Sequence, residues 1–172
     1  MLQKPHVKRR LILTAGGLMV LLAAGCTQLP FTEVQPCEPN RIQVTAYVDQ
    51  ADYGPEGMPE IWLGVRNTGW FDCEISGGTD TQQWSIHAGP EKQSELIWSS
   101  TDCVASVSKL TVRLKPWQER LTLPLSWDRT RSSSDDCLEA GERARGEPGV
   151  DYWFRGEIAG VETVEAARIR LR

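Results

Sequence analysis

From residue 40 onward, apolar residues recur at every second position in short runs. A period of two is that of a β-strand with one buried face, whereas an amphipathic helix repeats every 3.6 residues. Gly, Pro, Asn and Asp, which favour turns, separate the runs, and no long helical pattern occurs after the N-terminal segment. The sequence therefore predicts an antiparallel β-sandwich over residues 40–172. About eight strands are expected, at 42–48, 61–65, 84–86, 96–98, 110–114, 121–127, 152–158 and 167–171.

The first 26 residues have the layout of a bacterial lipoprotein signal. A lead with Lys4, Lys8, Arg9 and Arg10 precedes the apolar stretch 11–22, and Ala-Ala-Gly comes directly before Cys26. Together with Ala-Ala-Gly the apolar stretch is fifteen residues long, whereas a membrane-spanning helix needs about 18. We expect residues 1–25 to be a cleaved, helical signal peptide and Cys26 to be acylated, which places the protein on the extracytoplasmic face of the cell membrane.

Two alternatives for this segment stay open, an ordinary secretory signal with a chance cysteine and an uncleaved anchor. The pair Arg9-Arg10 also loosely fits the twin-arginine export pattern, so the export route is open too. Residues 26–39 are predicted to be the lipidated cysteine and a short tether. The ten residues 27–36 of this tether reach at most about 35 Å, which keeps the domain close to the membrane.

The charge balance of the mature chain argues against a nucleic-acid partner. The signal holds four of the 19 basic residues and none of the 23 acidic ones, so 147 mature residues carry a formal charge of −8. Nucleic-acid recognition needs a basic footprint, and the same charge disfavours electrostatic adsorption to anionic lipid. Negative charge that keeps an exposed protein soluble explains the balance more simply than a basic partner does.

Four cysteines remain after Cys26, an even number that fits disulfide formation in an oxidising compartment. Four cysteines allow three pairings. We favour Cys37–Cys73 with Cys103–Cys137, because each bridge ties a loop to a neighbouring strand. The spacings lack the close Cys-x-x-Cys pairs of a zinc site.

No catalytic motif is recognisable in the sequence. His87, the one histidine of the mature chain, lies on a predicted strand without a nucleophile and carboxylate in a recognisable pattern. Asp135 and Asp136 with Glu139 and Glu142 lack calcium-loop spacing, and arginines lie among them. We therefore expect no enzyme activity, no cofactor and no metal, although a carboxylate pair brought together by the fold has no signature in the sequence.

The seven tryptophans and one long connection are the remaining signals for binding. Trp98 and Trp127 are predicted to lie in the core, Trp62 and Trp153 on the opposite face of their strands, and Trp70 in a buried cap. Trp117 lies in a turn and is either a binding residue or a lid over the end of the sandwich. The connection 128–151 is longer than structureless loops usually are. The predicted binding surface combines Trp117 with Asp128 and Arg129 of this connection.

The second half of the chain resembles known families in its order of motifs. Ile97-Trp98-Ser99-Ser100 is followed by Asp102-Cys103, Trp127-Asp128-Arg129-Thr130, Ser134 and Cys137, and Pro148-Gly149 before Tyr152. This order is similar to that of secreted lipoproteins of actinobacteria. More distantly it resembles the Ig-like domain of the BsuPI family of bacterial proteinase inhibitors. The resemblance implies an Ig-like topology for the sandwich, but it transfers no reactive-loop residue.

These patterns together predict a lipid-anchored, extracytoplasmic protein of the cell envelope that binds a protein partner and performs no catalysis. A protease or an assembly factor is the expected kind of partner. One alternative is a module that binds cell-wall glycan through exposed tryptophans, because aromatic rings stack on sugars. A second alternative is a BsuPI-like protease inhibitor. The oligomeric state does not follow from the sequence.

Overall fold

The computed structural model describes residues 33–102, 108–133 and 150–172. In these ranges the chain forms twelve strands and two single-turn 3-10 helices, Pro39–Arg41 and Glu91–Gln93, and no α-helix. The strands are β1 (Ile42–Val48), β2 (Asp52–Tyr53), β3 (Glu60–Asn67), β4 (Cys73–Ser76), β5 (Gln82–Ala88), β6 (Glu95–Ser99), β7 (Thr111–Leu114), β8 (Glu119–Leu121), β9 (Leu125–Ser126), β10 (Tyr152–Ile158), β11 (Val161–Glu162) and β12 (Ala167–Leu171). No helix in these ranges is long and apolar enough to cross a membrane.

The strands form two main sheets and one separate pair. The first sheet has the order β1-β3-β8, and β9 also pairs with β3. The second has the order β2-β12-β10-β5-β6, and β11 pairs with β10. The strands β4 and β7 pair only with each other. All strand pairs are antiparallel except β2 with β12, so the predicted all-β sandwich is confirmed.

The core lies between the inner faces of these sheets. Side chains of β10 alternate strictly between buried and partly exposed, as the period of two predicts. Phe154 of β10 and Leu63 of β3 are both fully buried. A Cβ atom placed on Gly156 would lie only 2.6 Å from Leu63 Cδ1, so β10 approaches the first sheet where a side chain is absent.

The predicted bridge between Cys37 and Cys73 is present, with a Cα–Cα distance of 4.8 Å. It joins β4 to residues placed in the tether by the sequence. The Glu74 N–H donates to the Gln35 carbonyl at 2.9 Å, and the Cys37 N–H donates to the Glu74 carbonyl at 2.8 Å. The predicted signal-peptide helix, the acylated Cys26 and the Cys103–Cys137 bridge lie outside the described residues.

One predicted strand is broken. The run 121–127 shows the clearest alternation in the sequence, yet it forms two short strands, β8 and β9, on either side of Pro124. Leu121 and Leu123 are 60% and 88% exposed, and only Trp127 at the end of the run is buried. Proline has no N–H to donate to a sheet, which explains the break. The burial that the alternation predicted for Leu121 and Leu123 was therefore wrong.

Candidate functional site

Three aromatic side chains are exposed to solvent together at one end of the sandwich. Phe71 is 84% exposed, Trp70 72% and Trp117 53%, although large aromatic residues are mostly buried in folded proteins. The rings of Trp70 and Trp117 meet edge to face, with centroids 5.6 Å apart and planes at 82°. This geometry is favourable for an aromatic pair. We refer to Trp70, Phe71 and Trp117 as the aromatic tip.

The buried side chain of Asn67, the last residue of β3, holds both turns that carry the aromatic tip. Its Oδ1 accepts from the N–H of Gly69 at 2.7 Å, and its Nδ2 donates to the carbonyls of Phe71 at 2.8 Å and Leu114 at 3.2 Å. The Asn67 carbonyl accepts from the N–H of Trp117 at 2.8 Å. These hydrogen bonds fix the backbone of both turns that carry the aromatic tip.

The turn that carries Trp117 has an unusual residue at its strained position. The Gln118 N–H donates to the Lys115 carbonyl at 3.1 Å, which closes a four-residue turn with Pro116 second and Trp117 third. Trp117 has a φ of 61°, in the left-handed region that glycine or asparagine usually occupies in such turns. A bulky residue there costs about 1–2 kcal/mol, so the fold holds this ring outward against a local preference.

The predicted position of Trp70 was wrong, and Phe71 was missed. Trp70 was expected to form a buried cap, but it projects into solvent beside Phe71. Both residues lie in a short turn between β3 and β4, where the neighbouring strands already fill the core with their own inward side chains. The signal for exposure was the turn sequence Asn67-Thr68-Gly69 directly before them.

The structure does not bring Trp117 together with the other two predicted binding residues. Trp117 is hydrogen-bonded to Asn67 at the end of β3, whereas the N–H of Trp127 donates to Pro59 just before the start of β3. Eight residues of extended chain separate these points, about 25 Å. Asp128 and Arg129 follow Trp127, so they lie at the opposite end of β3 from the aromatic tip.

Asp128 and Arg129 have structural contacts at that end. Asp128 Oδ1 accepts from the N–H of Thr130 at 2.9 Å and from its hydroxyl at 2.6 Å. Arg129 is 3% exposed, and its Nη1 donates to the carbonyls of Gly54 at 3.1 Å and Pro55 at 2.6 Å. Arg129 thus fastens the turn after β2 to the sandwich. Of the connection 128–151, residues 134–149 lie outside the described part.

An apolar groove of about 670 Å³ opens between β7 and β8. Its floor consists of core residues, including Val65, Ile75 and Ile158, and its rim carries exposed leucines. We call it the leucine groove. Its apolar lining residues are Val65, Ile75, Leu110, Val112, Leu121, Leu123 and Ile158.

Two arginines, Arg113 and Arg120, are the charged residues among those that line the leucine groove, and no carboxylate of the described chain lines it. Arg113 also forms an ion pair with Asp72, with Nη2 2.8 Å from Oδ2. Residues 26–172 carry a formal charge of −8, so a groove whose charged lining residues are both arginines is unusual for this chain. Its electrostatics favour an anionic group on whatever occupies it.

The other tryptophans pack against the domain itself. Trp127 is buried, as predicted, and Trp84 is nearly so, whereas Trp98 is half-buried at the edge of the core. Trp62 stacks on Tyr47 with centroids 6.0 Å apart. Trp153 donates from Nε1 to the Gly89 carbonyl at 2.8 Å and lies under the guanidinium of Arg168.

His87 lies on β5 as predicted, above a polar surface groove of about 310 Å³. Its Nε2 is 3.2 Å from the Ser85 hydroxyl. Burial and then the positive charge of Arg155 lower the pKa of His87 below its ordinary value, opposed by a hydrogen bond with the backbone of Ser94. Within the described ranges no three His, Cys, Asp or Glu side chains are grouped to hold a metal ion.

Together, fold and surfaces define an all-β sandwich domain with two exposed apolar sites, the aromatic tip and the leucine groove. No family model matches the chain, and no curated protein sequence matches it.

Several solved structures contain a similar arrangement of strands at low identity. The sporulation control protein Spo0M from Bacillus subtilis is 12% identical with a TM-score of 0.42, and the match covers 77% of this chain and 49% of Spo0M. A β-glucosidase from Erythrobacter marinus is 15% identical with a TM-score of 0.43, over 76% of this chain and 15% of the enzyme. A CARDB domain from Pyrococcus furiosus is 11% identical with a TM-score of 0.35, over 76% of this chain and 87% of the domain. The chain thus spans about half of Spo0M and a small part of the glucosidase, and at these scores the similarities carry no inference about function.

Proposed function

We propose that this chain is a lipid-anchored, extracytoplasmic binding protein of the cell envelope that captures a protein partner and performs no catalysis. The observation that carries the proposal is the leucine groove between two strands that each have an open edge. Its occupant is an extended segment of the partner that carries apolar and acidic side chains.

The open edges supply hydrogen-bonding groups for such a segment. Among the described strands, β7 pairs only with β4 and β8 only with β3. Each therefore has one edge whose backbone N–H and carbonyl groups are not used in a ladder. Adding a strand to such an edge is a common way to bind a peptide, because the backbone supplies affinity and alternate side chains supply specificity.

The side chains around the groove match the same kind of occupant. Leu121 and Leu123 present apolar surface to solvent on alternate residues, which suits apolar side chains at every second position of an extended peptide. Arg120 suits a carboxylate between those positions or at the end of the segment, whereas Arg113 already pairs with Asp72 at 2.8 Å. A neutral or basic peptide would leave Arg120 without that gain.

The lipid anchor is supported by the sequence before Cys26 and by the bridge between Cys37 and Cys73. Disulfides persist in oxidising compartments such as the periplasm or the cell surface. We propose on the same grounds that the chain is related to the secreted lipoproteins of actinobacteria that its second half resembles. Mass spectrometry of the intact protein from membranes tests the lipid anchor, because acylation of Cys26 adds the mass of the lipid and cleavage of the signal peptide removes residues 1–25.

Two alternatives predict different occupants. A glycan-binding module would use the faces of Trp70 and Trp117, since Trp62 and Trp153 already pack against Tyr47 and Arg168. An inhibitor of the BsuPI kind would insert a loop into a protease. Both predict binding that is indifferent to substitutions in the leucine groove.

A photo-crosslinking amino acid placed at position 123 on intact cells tests the proposal. We expect one dominant crosslinked protein, with the crosslink mapped to an extended segment that contains Asp or Glu. Leu121→Asp should lower the yield at least tenfold, because it brings a like charge to the anionic segment and removes an apolar contact. Val164→Asp is the matched control, since Val164 is an exposed apolar residue outside the groove.

An equal yield from Leu121→Asp and Val164→Asp would overturn the groove as the binding site. A crosslink only to wall glycan would move the function to the glycan alternative. Circular dichroism of each variant shows that the fold is intact, which is expected because both positions are exposed.

A further inference from the structure

We infer that the aromatic tip inserts into the headgroup region of the bilayer that holds the lipid anchor. The inference rests on the acylated Cys26 of the proposed function and adds a second membrane contact to it. The occupant of Trp70, Phe71 and Trp117 is thus a lipid surface, and the leucine groove remains the site for the protein partner.

The chemistry of the tip suits an interface between water and hydrocarbon. Tryptophan has a large apolar body and one N–H donor, and it concentrates at the headgroup level of membrane proteins. Phe71, which has no polar group at all, is the most exposed aromatic side chain of the described residues. A side chain of this kind gains free energy when it leaves water for the acyl boundary.

The tip is built so that these rings do not fold back onto the domain. Asn67 fixes both turns through its buried amide, and Trp117 has a left-handed backbone conformation with its side chain 53% exposed. A tip whose turns are already fixed loses little conformational entropy when it inserts. Three aromatic side chains are therefore sufficient for a favourable free energy of insertion.

The attachment of the tether brings this end of the domain within reach of the bilayer. Cys37 is bonded to Cys73 with Cα atoms 4.8 Å apart, and Phe71 comes two residues before Cys73. The eleven residues from Cys26 to Cys37 span at most about 40 Å. An acyl chain on Cys26 therefore keeps Cys37, and with it the turn that carries Phe71, within about 40 Å of the membrane. At this distance the effective concentration of lipid is high, so weak insertion suffices.

The charges on the two turns do not oppose insertion. Residues 67–72 and 115–118 contain a single carboxylate, Asp72, and it is neutralised by Arg113. Lys115 adds a positive charge next to Trp117, which suits a phosphate headgroup. The two turns therefore carry no net negative charge that would oppose their approach to lipid.

Quenching of tryptophan fluorescence by brominated phosphatidylcholine tests the inference. The acylated protein is reconstituted into vesicles whose lipids carry bromine near the headgroup end or near the methyl end of the acyl chain. We expect quenching by the shallow bromines, at most about two sevenths of the emission if all seven tryptophans emit equally, and weaker quenching by the deep ones. Trp70→Phe with Trp117→Phe should abolish it, because these rings are the ones in contact.

Trp62→Phe is the matched control, since that ring stacks on Tyr47 away from the tip, and it should leave the quenching unchanged. Phe71→Ser should weaken the quenching of Trp70 and Trp117 at least twofold without changing the fold. Leu121→Asp should leave it unchanged.

Flotation of the same vesicles separates the inference from the proposed function. Protein that floats without any quenching keeps its anchor and overturns the insertion. Protein that does not float overturns both the anchor and the insertion. Quenching that survives the Trp70→Phe, Trp117→Phe pair assigns the lipid contact to another surface and overturns the tip. An emission change caused by soluble wall glycan but not by bromolipid makes the tip a sugar site instead.

Discussion

The buried amide of Asn67 donates to the backbone carbonyl of Phe71 at 2.8 Å, so the most exposed aromatic residue of the described chain is held in place by one of its best-buried polar side chains. This contact links stability to the surface that we propose to meet the membrane. A substitution of the buried Asn67 at the end of β3 should therefore alter the turn that carries Trp70 and Phe71.

Asn67→Ala should lower the free energy of unfolding by about 2–4 kcal/mol, because it leaves the Gly69 N–H and the carbonyls of Phe71 and Leu114 without their partner. Urea denaturation measures the loss. Thr68→Ala, next in the same turn and half-buried, should change stability by less than about 1 kcal/mol. Similar losses from both variants would contradict a specific contribution of the Asn67 side-chain hydrogen bonds to stability.

Gly156→Ala should destabilise the sandwich by about 1–3 kcal/mol, because the new methyl group would lie 2.6 Å from Cδ1 of the fully buried Leu63. The check is a double-mutant cycle with Leu63→Ala. That second substitution should cost clearly less in the Gly156→Ala background than in the wild type, since the added methyl then has room. Additive losses would show that the two residues do not clash.

Removing the bridge with Cys37→Ser and Cys73→Ser should lower the free energy of unfolding by roughly 3–4 kcal/mol, which is the loop-entropy value for cysteines 36 residues apart. Thermal or urea unfolding of the non-acylated domain measures it. Reduction with dithiothreitol should also lower the free energy of unfolding of the wild type. In the double variant, which lacks this bridge, reduction should cause no such loss from it. A double variant as stable as the oxidised wild type would contradict the prediction.

Acidification should weaken the fold through His87. Because burial and Arg155 lower its pKa in the folded state, the unfolded chain takes up a proton first, at its ordinary pKa of about 6.5. Stability from this residue is therefore complete above that pH, falls as the pH drops through it and levels off below the folded pKa. Urea denaturation between pH 8 and 5 should show a fall in wild type that is smaller in His87→Gln. Parallel curves would assign the pH dependence to other groups.

The sequence predicted the sandwich because alternation with a period of two reports burial directly in strands such as β3 and β10. The same rule failed at Leu121 and Leu123, where the pattern continues but Pro124 ends the pairing and the opposite face of the sandwich offers no cover. Alternation states which side chains share a face. It does not state that another sheet lies against that face.

The candidate site was only partly predictable for a related reason. Trp117 was visible as a turn residue, but its contact with Trp70 depends on two turns that lie 47 residues apart in sequence and are brought together by Asn67 and by the pairing of β4 with β7. Arg129 looked like a surface residue of a polar connection, whereas tertiary contacts with the carbonyls of Gly54 and Pro55 make it part of the interior. Neither contact has a local signature.

The arginines of the leucine groove also bear on what happens when two copies of the chain meet. Open strand edges beside exposed leucines favour edge-to-edge pairing of two copies. In a symmetric pairing of two β8 edges, Arg120 of one copy approaches Arg120 of the other, and like charges across a strand pair repel. Arg120, which we propose to bind an acidic segment, thus also disfavours pairing of the groove with a second copy of the chain.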